Sequence, residues 1–133
     1  MQDKEKRKHI RTTLISEVMK VTEKDVDKFR SIRDISLGGV YINDLVSPPG
    51  SNLTLTAALP GDLGDLTLTL EVVRCDWAKL KNKKTGIACK FIGVTEGQGK
   101  ILDAYIKYLR NRQIVTVSKR IIEDFFGKQP PRL

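Results

Sequence analysis

The stretch LTLTAALPGDLGDLTLTL, residues 53–70, decides the fold, because it holds the clearest periodicity of the chain around an obvious turn. Leucine or alanine alternates with threonine in residues 53–57, and leucine alternates with threonine again in residues 66–70. A period of two puts alternate side chains on opposite faces of a strand, so each segment predicts one buried and one solvated face. Proline, glycine and aspartate in residues 60–65 predict the turn between the two strands.

Four more strands are predicted around this pair. They lie at residues 12–21, 26–33, 40–42 and 86–92. The strand that begins at Leu66 continues to Asp76, and its outward side changes near Val72 and Val73, which indicates a bulge or bend. Six short strands with turns at regular intervals indicate a closed or nearly closed antiparallel barrel, which leaves no exposed sheet edge.

The C-terminal part of the chain changes to a helical period after Thr95. Apolar residues follow helical spacing at Ile101, Leu102, Tyr105, Ile106 and Leu109. Residues 95–98, TEGQ, have the form of a capping box, and we expect this helix to end near Arg112. Residues 116–126 fit a second helix stopped by Gly127, although residues 114–117 also fit a strand.

The predicted fold class is therefore mainly β, a six-stranded antiparallel β-barrel with one or two C-terminal α-helices. The predicted layout is a flexible tail at residues 1–6, the barrel domain with its packed helix at 7–112, a helical extension at 113–127 and a loose tail at 128–133.

Length and composition fit one compact domain. The chain has 133 residues and a mass of 15.0 kDa, and 40% of its residues are hydrophobic, which is enough for one core. No stretch approaches the ~20 apolar residues of a membrane-crossing helix, and the first residues lack the apolar centre of a secretory signal. We expect a cytoplasmic location and no membrane insertion.

The charge of the chain is strongly basic. Twenty-four Lys and Arg residues against 16 Asp and Glu give a formal net charge of +8. Such a balance attracts polyanions at low salt without naming a partner. Much of the excess of positive charge lies in the N-terminal arm, residues 4–11, in the loop at residues 79–84 and at residues 107–120. The last two clusters also fit ordinary solvated faces.

The cysteines and the histidine predict no metal site. Cys75, Cys89 and His9 are too few and too dispersed in sequence for structural zinc. A hairpin that turns near Asn82 would place Cys75 opposite Cys89, so a disulfide is geometrically conceivable. A reducing compartment favours two small buried thiols instead.

Two short motifs carry the chemistry. The first is RKHIR at residues 7–11, in which two guanidinium groups can close on a phosphodiester or on the edge of a guanine. The second is DISLGG at residues 34–39, which offers a carboxylate, a hydroxyl and close backbone approach. Each has a plainer explanation, because basic termini contain RxxxR by chance and Asp, Ser and Gly are common in turns and bulges.

In their order and spacing these motifs resemble the signature of the PilZ domain family, RxxxR followed about two strands later by [DN]xSxxG. The matching residues are Arg7, Arg11, Asp34, Ser36 and Gly39, and the resemblance runs from about residue 6 to residue 112. It implies a six-stranded barrel with a helix packed beside it. It also implies binding of cyclic di-GMP, a second messenger with two guanines and two phosphodiesters.

The resemblance implies a role for each matching residue. Arg7 and Arg11 would bind phosphate oxygens or the N7/O6 edge of guanine. Asp34 would accept hydrogen bonds from guanine N1 and N2, Ser36 would add a hydroxyl, and Gly39 would admit the ligand to the barrel wall. Further candidates for ligand contact are Lys6, Lys8, Gly38 and Arg74.

The ligand is also expected to order the arm. In a fully extended arm Arg7 and Arg11 would lie ~13 Å apart, so the arm has to bend around one compact ligand. The predicted function is a cyclic di-GMP receptor or adaptor that signals to an unidentified effector protein. No other cofactor, metal or catalytic step is expected, because no nucleophile motif and no acid–base pair is present.

Two other interpretations stay open at this point. A basic small barrel can bind single-stranded nucleic acid, although aromatic residues for base stacking make up only 6% of this chain. An interaction module that has lost its ligand would keep the motif residues without using them. The sole tryptophan, Trp77, is expected to cap the core at a strand end, with contact to the ligand or to a partner as the alternative.

Overall fold

A closed barrel of antiparallel strands forms the body of the protein. The computed structural model describes residues 9–15, 17–77 and 84–125, and beyond residue 113 it describes the backbone of the helix alone. The strands are β1 (Thr12–Thr13), β2 (Val18–Glu23), β3 (Val26–Ile35), β4 (Gly39–Asn43), β5 (Asn52–Ala58), β6 (Asp65–Asp76) and β7 (Gly86–Ile92), and the helix is α1 (Glu96–Phe125).

The strands β2 to β7 close into a six-stranded ring. Their order is β3-β2-β5-β6-β7-β4, and β4 pairs back onto β3. Each neighbouring pair is antiparallel. The predicted fold class, a six-stranded antiparallel barrel with a C-terminal helix, is therefore confirmed.

The leucine–threonine segments pair as their periodicity predicts. In the register of β5 and β6, Leu53 lies opposite Leu70 and Leu55 lies opposite Leu68, and all four side chains are buried in the core. The intervening threonines lie on the outer face, where Thr56 and Thr67 approach each other. The predicted irregularity in β6 is confirmed by a register shift against β7 between Val72 and Arg74.

The prediction of one strand over residues 12–21 was wrong. The structure divides this segment into β1, which pairs with the end of β3, and β2, which pairs with its beginning. Between them, the N–H of Leu14 donates to the carbonyl of Arg33 and the N–H of Ile32 donates to the carbonyl of Glu17, each at 2.8 Å. The long strand β3 therefore holds both pieces.

The predicted helix end near Arg112 was also wrong, because α1 runs without interruption to Phe125. Its start is the predicted capping box: the N–H of Gln98 donates to Thr95 Oγ1, and the N–H of Thr95 donates to Gln98 Oε1, each at 3.1 Å. The first half of α1 joins the same hydrophobic core as the barrel through Leu102, Tyr105, Ile106 and Leu109. The tails predicted at residues 1–6 and 128–133 lie outside the described residues.

Cys75 and Cys89 are both free thiols. The expectation that they face each other was wrong, because Cys75 pairs with Ile87 and Cys89 pairs with Val72 across the β6–β7 ladder. The position opposite Cys75 is therefore two residues from Cys89 along β7. In the described part of the chain, no helix is both long and apolar enough to cross a membrane.

Candidate functional site

The second motif forms the tight connection between β3 and β4. Ser36 Oγ accepts hydrogen bonds from the N–H of Gly38 at 3.1 Å and from the N–H of Gly39 at 3.3 Å. The N–H of Ser36 donates to the carbonyl of Gly39 at 2.9 Å. Ser36 is only 4% exposed, and its hydroxyl stabilises the conformation of the connection between β3 and β4.

The two glycines of this loop lie against different neighbours. A Cβ atom on Gly39 would overlap the carbonyl oxygen of Cys89, so the backbones of β4 and β7 approach closely at this position. A Cβ atom on Gly38 would instead lie 3.0 Å from the Cδ2 atom of His9. The ring of His9 therefore lies over the loop, and the N-terminal arm meets the second motif there.

Arg11 and Asp34 form an ion pair, which joins the two motifs directly. Nη1 of Arg11 donates to one carboxylate oxygen of Asp34 and Nε of Arg33 donates to the other at 3.0 Å. The pairing of Thr13 with Asp34 in the β1–β3 ladder places Arg11 beside the carboxylate. The side chain of Asp34 is 9% exposed, against 31% for Arg11 and 53% for Arg33.

A row of charged and aromatic side chains continues from Asp34 along the outer wall of the barrel. The guanidinium of Arg33 lies 3.6 Å from the ring centre of Tyr41, and Tyr41 Oη donates to Asp76 at 2.8 Å. Arg74 binds both oxygens of Asp76, at 3.0 and 3.3 Å. The side chains of Val40 and Ile42 face the core, so the ring of Tyr41, which stands between them in β4, lies on the outer face of the barrel beneath the side chain of Arg33.

This row changes the acidity of its members. Burial, with the hydrogen bond to Asp76, raises the pKa of Tyr41 to about 12. The hydrogen bonds from Arg74 and from Tyr41 lower the pKa of Asp76. Tyr41 is thus neutral and Asp76 is ionised at physiological pH, and the row alternates in charge.

An open cavity of about 570 Å³ adjoins the row. Its walls are formed by Arg33, Tyr41, Asn43, Cys75, Asp76, Trp77 and Lys84. A Cβ atom on Gly86 would lie 2.5 Å from the ring of Tyr41, so the absence of a side chain there lets the ring lie flat on β7. Trp77 is 56% exposed at the cavity wall, and the expectation that it caps the core was wrong.

The structure brings together five of the predicted site residues. These are Arg11, Asp34, Ser36, Gly38 and Gly39. Arg74 lies further along the outer wall, where it donates to Asp76 and its guanidinium lies 5.9 Å from the ring centre of Tyr41. Lys6, Arg7 and Lys8 lie outside the described residues.

Sequence reasoning missed Arg33 and Tyr41. A signal for each was present, because Arg33 directly precedes the motif carboxylate and Tyr41 stands between two core residues of a predicted strand. Among the described residues, no group of three or more His, Cys, Asp or Glu side chains is placed to hold a metal ion.

A barrel with two convergent motifs on its outer wall matches a known class. The family model described as PilZ domain matches residues 5–108. This match covers most of the chain, and the chain belongs to the PilZ domain family. No curated protein sequence matches it.

Solved structures of the same fold come from several bacteria. The PilZ domain of YcgR from Escherichia coli, solved with c-di-GMP, is 16% identical, with a TM-score of 0.67 over 85% of this chain and 98% of that one. The inhibitor of motility MotI from Bacillus subtilis is 22% identical, with a TM-score of 0.59 over 86% of this chain. The MrkH–c-di-GMP complex of K. pneumonia is 17% identical, with a TM-score of 0.57 over 86% of this chain.

Their lengths differ from that of this chain. The match spans 52% of the MotI chain and 55% of the MrkH chain, so both carry a part of about equal size that this chain does not align with. At these identities the likeness shows a shared fold.

Proposed function

We propose that this protein is a receptor for cyclic di-GMP that orders its N-terminal RxxxR arm on the ligand and signals to a protein partner. The observation that carries the proposal is the contact between Arg11 and Asp34, which are 23 residues apart in sequence and come from the two separate motifs. Family membership and the c-di-GMP bound to the YcgR domain support the choice of ligand.

Asp34 is suited to read a guanine. A carboxylate has about four lone-pair positions, and Arg11 and Arg33 occupy one on each oxygen of Asp34. The N1–H and N2–H groups of guanine present two parallel donors, which match the two oxygens. Ser36 and the two glycines place the neighbouring backbone where a base or a phosphate can approach.

Arg11 is the cation that we expect to move to the ligand. It directly precedes the two-residue strand β1, whereas Arg33 is fixed by its stacking on Tyr41 at 3.6 Å. When Arg11 leaves, Arg33 remains to neutralise Asp34, so the buried carboxylate does not lose its last partner. Arg11 then donates to a phosphate or to guanine N7/O6, with Arg7 from the same arm as the second cation.

Further contacts are proposed for residues around this centre. Lys6 and Lys8 add positive charge within the arm, and Arg74 adds it on the wall of the barrel. The ligand carries two negative charges, and a chain of formal charge +8 attracts it at low ionic strength. We assign the protein no catalytic step and propose a cytoplasmic location. The surface that an effector protein recognises is formed by the ordered arm and by the part of the barrel wall that the bound ligand covers.

Calorimetric titration of the purified protein with cyclic di-GMP, GTP and a short single-stranded oligonucleotide tests the proposal. We expect heat for cyclic di-GMP alone, with a Kd on the order of 1 μM, equivalent to about 8 kcal/mol. Arg11→Ala should weaken binding by at most roughly 10- to 150-fold, since a hydrogen bond to a charged group contributes ~1.5–3 kcal/mol and Arg11 gives up its contact with Asp34 to make it. Arg30→Ala is the matched control, because Arg30 donates to the carbonyls of Phe29 and Asp44 and not to the site.

Two outcomes would count against the proposal. Equal binding of all three anions that weakens steeply with salt would indicate a basic barrel that binds single-stranded nucleic acid instead. An undiminished affinity in Arg11→Ala would remove the arm from the site. Ordering of the arm has its own measurement, since bound ligand should slow tryptic cleavage after Lys6, Arg7 and Lys8.

A further inference from the structure

The segment that follows Arg11 is attached to α1 as well as to β3. The side chain of Gln113, in α1, makes two hydrogen bonds with the backbone of that segment. Its Nε2 donates to the carbonyl of Thr13 at 2.9 Å, and its Oε1 accepts from the N–H of Ile15 at 2.6 Å. A donor and an acceptor that meet residues two apart imitate the pairing of a neighbouring strand. The side-chain amide of Gln113 thus supplies one unit of a β-ladder from within a helix.

Two charged contacts reinforce this attachment. Nη2 of Arg110 donates to Thr12 Oγ1 at 2.8 Å, and Arg112 forms an ion pair with Glu17. Arg110, Arg112 and Gln113 lie within one turn of α1, so a single turn of the helix contacts Thr12, Thr13, Ile15 and Glu17. Thr12 is 6% exposed, which protects its hydrogen bond from solvent.

The position of this turn within α1 gives it a mechanical consequence. The preceding turns are anchored in the core by Ile106 and Leu109, and α1 then continues beyond Gln113 as residues 114–125. The turn therefore stands between the anchored part of the helix and its distal part.

The arm, the second motif and α1 also border one common space. A cavity of about 280 Å³ lies between them. Its walls include His9, Ile10, Leu37, Asp103, Lys107 and Arg110.

We propose that Gln113 is a positioning residue of the ligand site, and that it couples occupancy of that site to the stability of the distal part of α1. This inference rests on the proposed function. Gln113 holds the base of the arm in place, so the ligand has to order only the residues before it. By reciprocity, a ligand that fixes the arm also stabilises the helix that the arm is bonded to.

Hydrogen exchange of the full chain, with and without cyclic di-GMP, tests the coupling. In the wild-type protein, ligand should slow exchange in residues 34–39 and in the amides of residues 110–125. Gln113→Ala should raise Kd roughly tenfold, equivalent to about 1.4 kcal/mol, and abolish the slowing in α1 but not in residues 34–39. Asn111→Ala, on the exposed side of the same turn, should leave both effects unchanged.

Gln113→Glu separates position from folding. The variant keeps the acceptor for the Ile15 N–H and loses the donor to the Thr13 carbonyl, so its Kd and its helix protection should lie between those of wild type and Gln113→Ala. It also serves as the test variant if Gln113→Ala fails to fold. Without ligand, the Ile15 amide should exchange faster in Gln113→Ala than in Asn111→Ala.

The outcomes distinguish this inference from the proposed function. Ligand protection of residues 34–39 with no change in α1 of the wild-type protein overturns the coupling and leaves the receptor function standing. Unchanged Kd and unchanged helix protection in Gln113→Ala also overturn it. No heat and no protection anywhere would overturn the receptor function, and the inference with it.

Discussion

Replacing Gly39 by alanine is expected to destabilise the whole barrel. A Cβ atom at this position would overlap the carbonyl oxygen of Cys89 and lie 3.2 Å from Cα of Lys90. Both neighbours are backbone atoms of β7, in the ladder that pairs Gly39 with Lys90, so no side chain can swing away to make room. The two strands have to separate by on the order of 1 Å to restore normal contact distances.

The cost of this separation follows from the hydrogen bonds around it. The N–H of Phe91 donates to the carbonyl of Gly38 at 3.0 Å, and the N–H of Ser36 donates to the carbonyl of Gly39 at 2.9 Å. Of these two bonds the first crosses between the separating strands; weakening it costs ~0.5–1.5 kcal/mol, and overpacking adds ~1–3 kcal/mol, so we expect about 3 kcal/mol in total. For a domain of this size each kcal/mol lowers Tm by roughly 3–5 °C, which predicts a fall of roughly 10 °C.

Thermal unfolding followed by circular dichroism measures this effect, with Gly38→Ala as the matched control. The added Cβ on Gly38 would meet the ring of His9 at 3.0 Å, and a side chain can move aside, so Tm should change by less than about 3 °C. A Gly39→Ala protein with a Tm within 3 °C of wild type would refute the argument. The motif glycine would then be required by the ligand and not by the barrel.

Three further predictions concern single groups. The pKa of Tyr41 is raised to about 12 from its usual 10.0, so the stability that its hydroxyl contributes is complete below pH 10 and is lost as pH rises towards 12. The difference in Tm between wild type and Tyr41→Phe should therefore shrink between pH 10 and pH 12. A difference that stays constant over this range would contradict the prediction. Burial raises the pKa of Cys89 to about 12, so a thiol reagent at pH 8 should label Cys75, which lines the open cavity, and leave Cys89 unmodified until the protein unfolds. Thr95→Ala removes half of the capping box and should cost about 1 kcal/mol in denaturant unfolding, while an unchanged midpoint would show that the cap contributes nothing.

Local periodicity was sufficient to predict the central hairpin of the barrel, because β5 and the first part of β6 alternate between core and solvent. Residues 53–57 and 66–70 show this most clearly, and their register is the one that buries every leucine. The capping box was predictable for a similar reason, since Thr95 and Gln98 are three residues apart and need no distant partner.

The errors arose where distant contacts decide the structure. Residues 12–21 are rich in strand-forming side chains, and the break in them is made by hydrogen bonds from β3 that no local pattern reveals. The continuity of α1 through residues 114–117 had the same cause. Those β-branched residues fit a strand, but the turns anchored in the core before them supply a helix nucleus from which the helix extends.

Much of the site was equally beyond local prediction. Arg33 and Tyr41 belong to it because β3 and β4 are neighbours on the outer wall, and Gln113 belongs to it because α1 passes the base of the arm. None of these positions has a motif of its own. They gain their roles from contacts that exist only after the chain has folded.

The ion pair between Arg11 and Asp34 also bears on how tightly a ligand can be held. In the proposed receptor Arg11 leaves Asp34 and binds the ligand instead. The net gain in binding free energy is therefore smaller than the ~1.5–3 kcal/mol of a new charged hydrogen bond. Asp34 keeps Arg33 throughout, and the stacking of Arg33 on Tyr41 keeps that second cation in place. The exchange of partners by Arg11 favours a reversible affinity in the micromolar range. It depends on the carboxylate of Asp34. Asp34→Ala would free Arg11 for the phosphates but remove the acceptor for guanine, which makes the site less selective for the base.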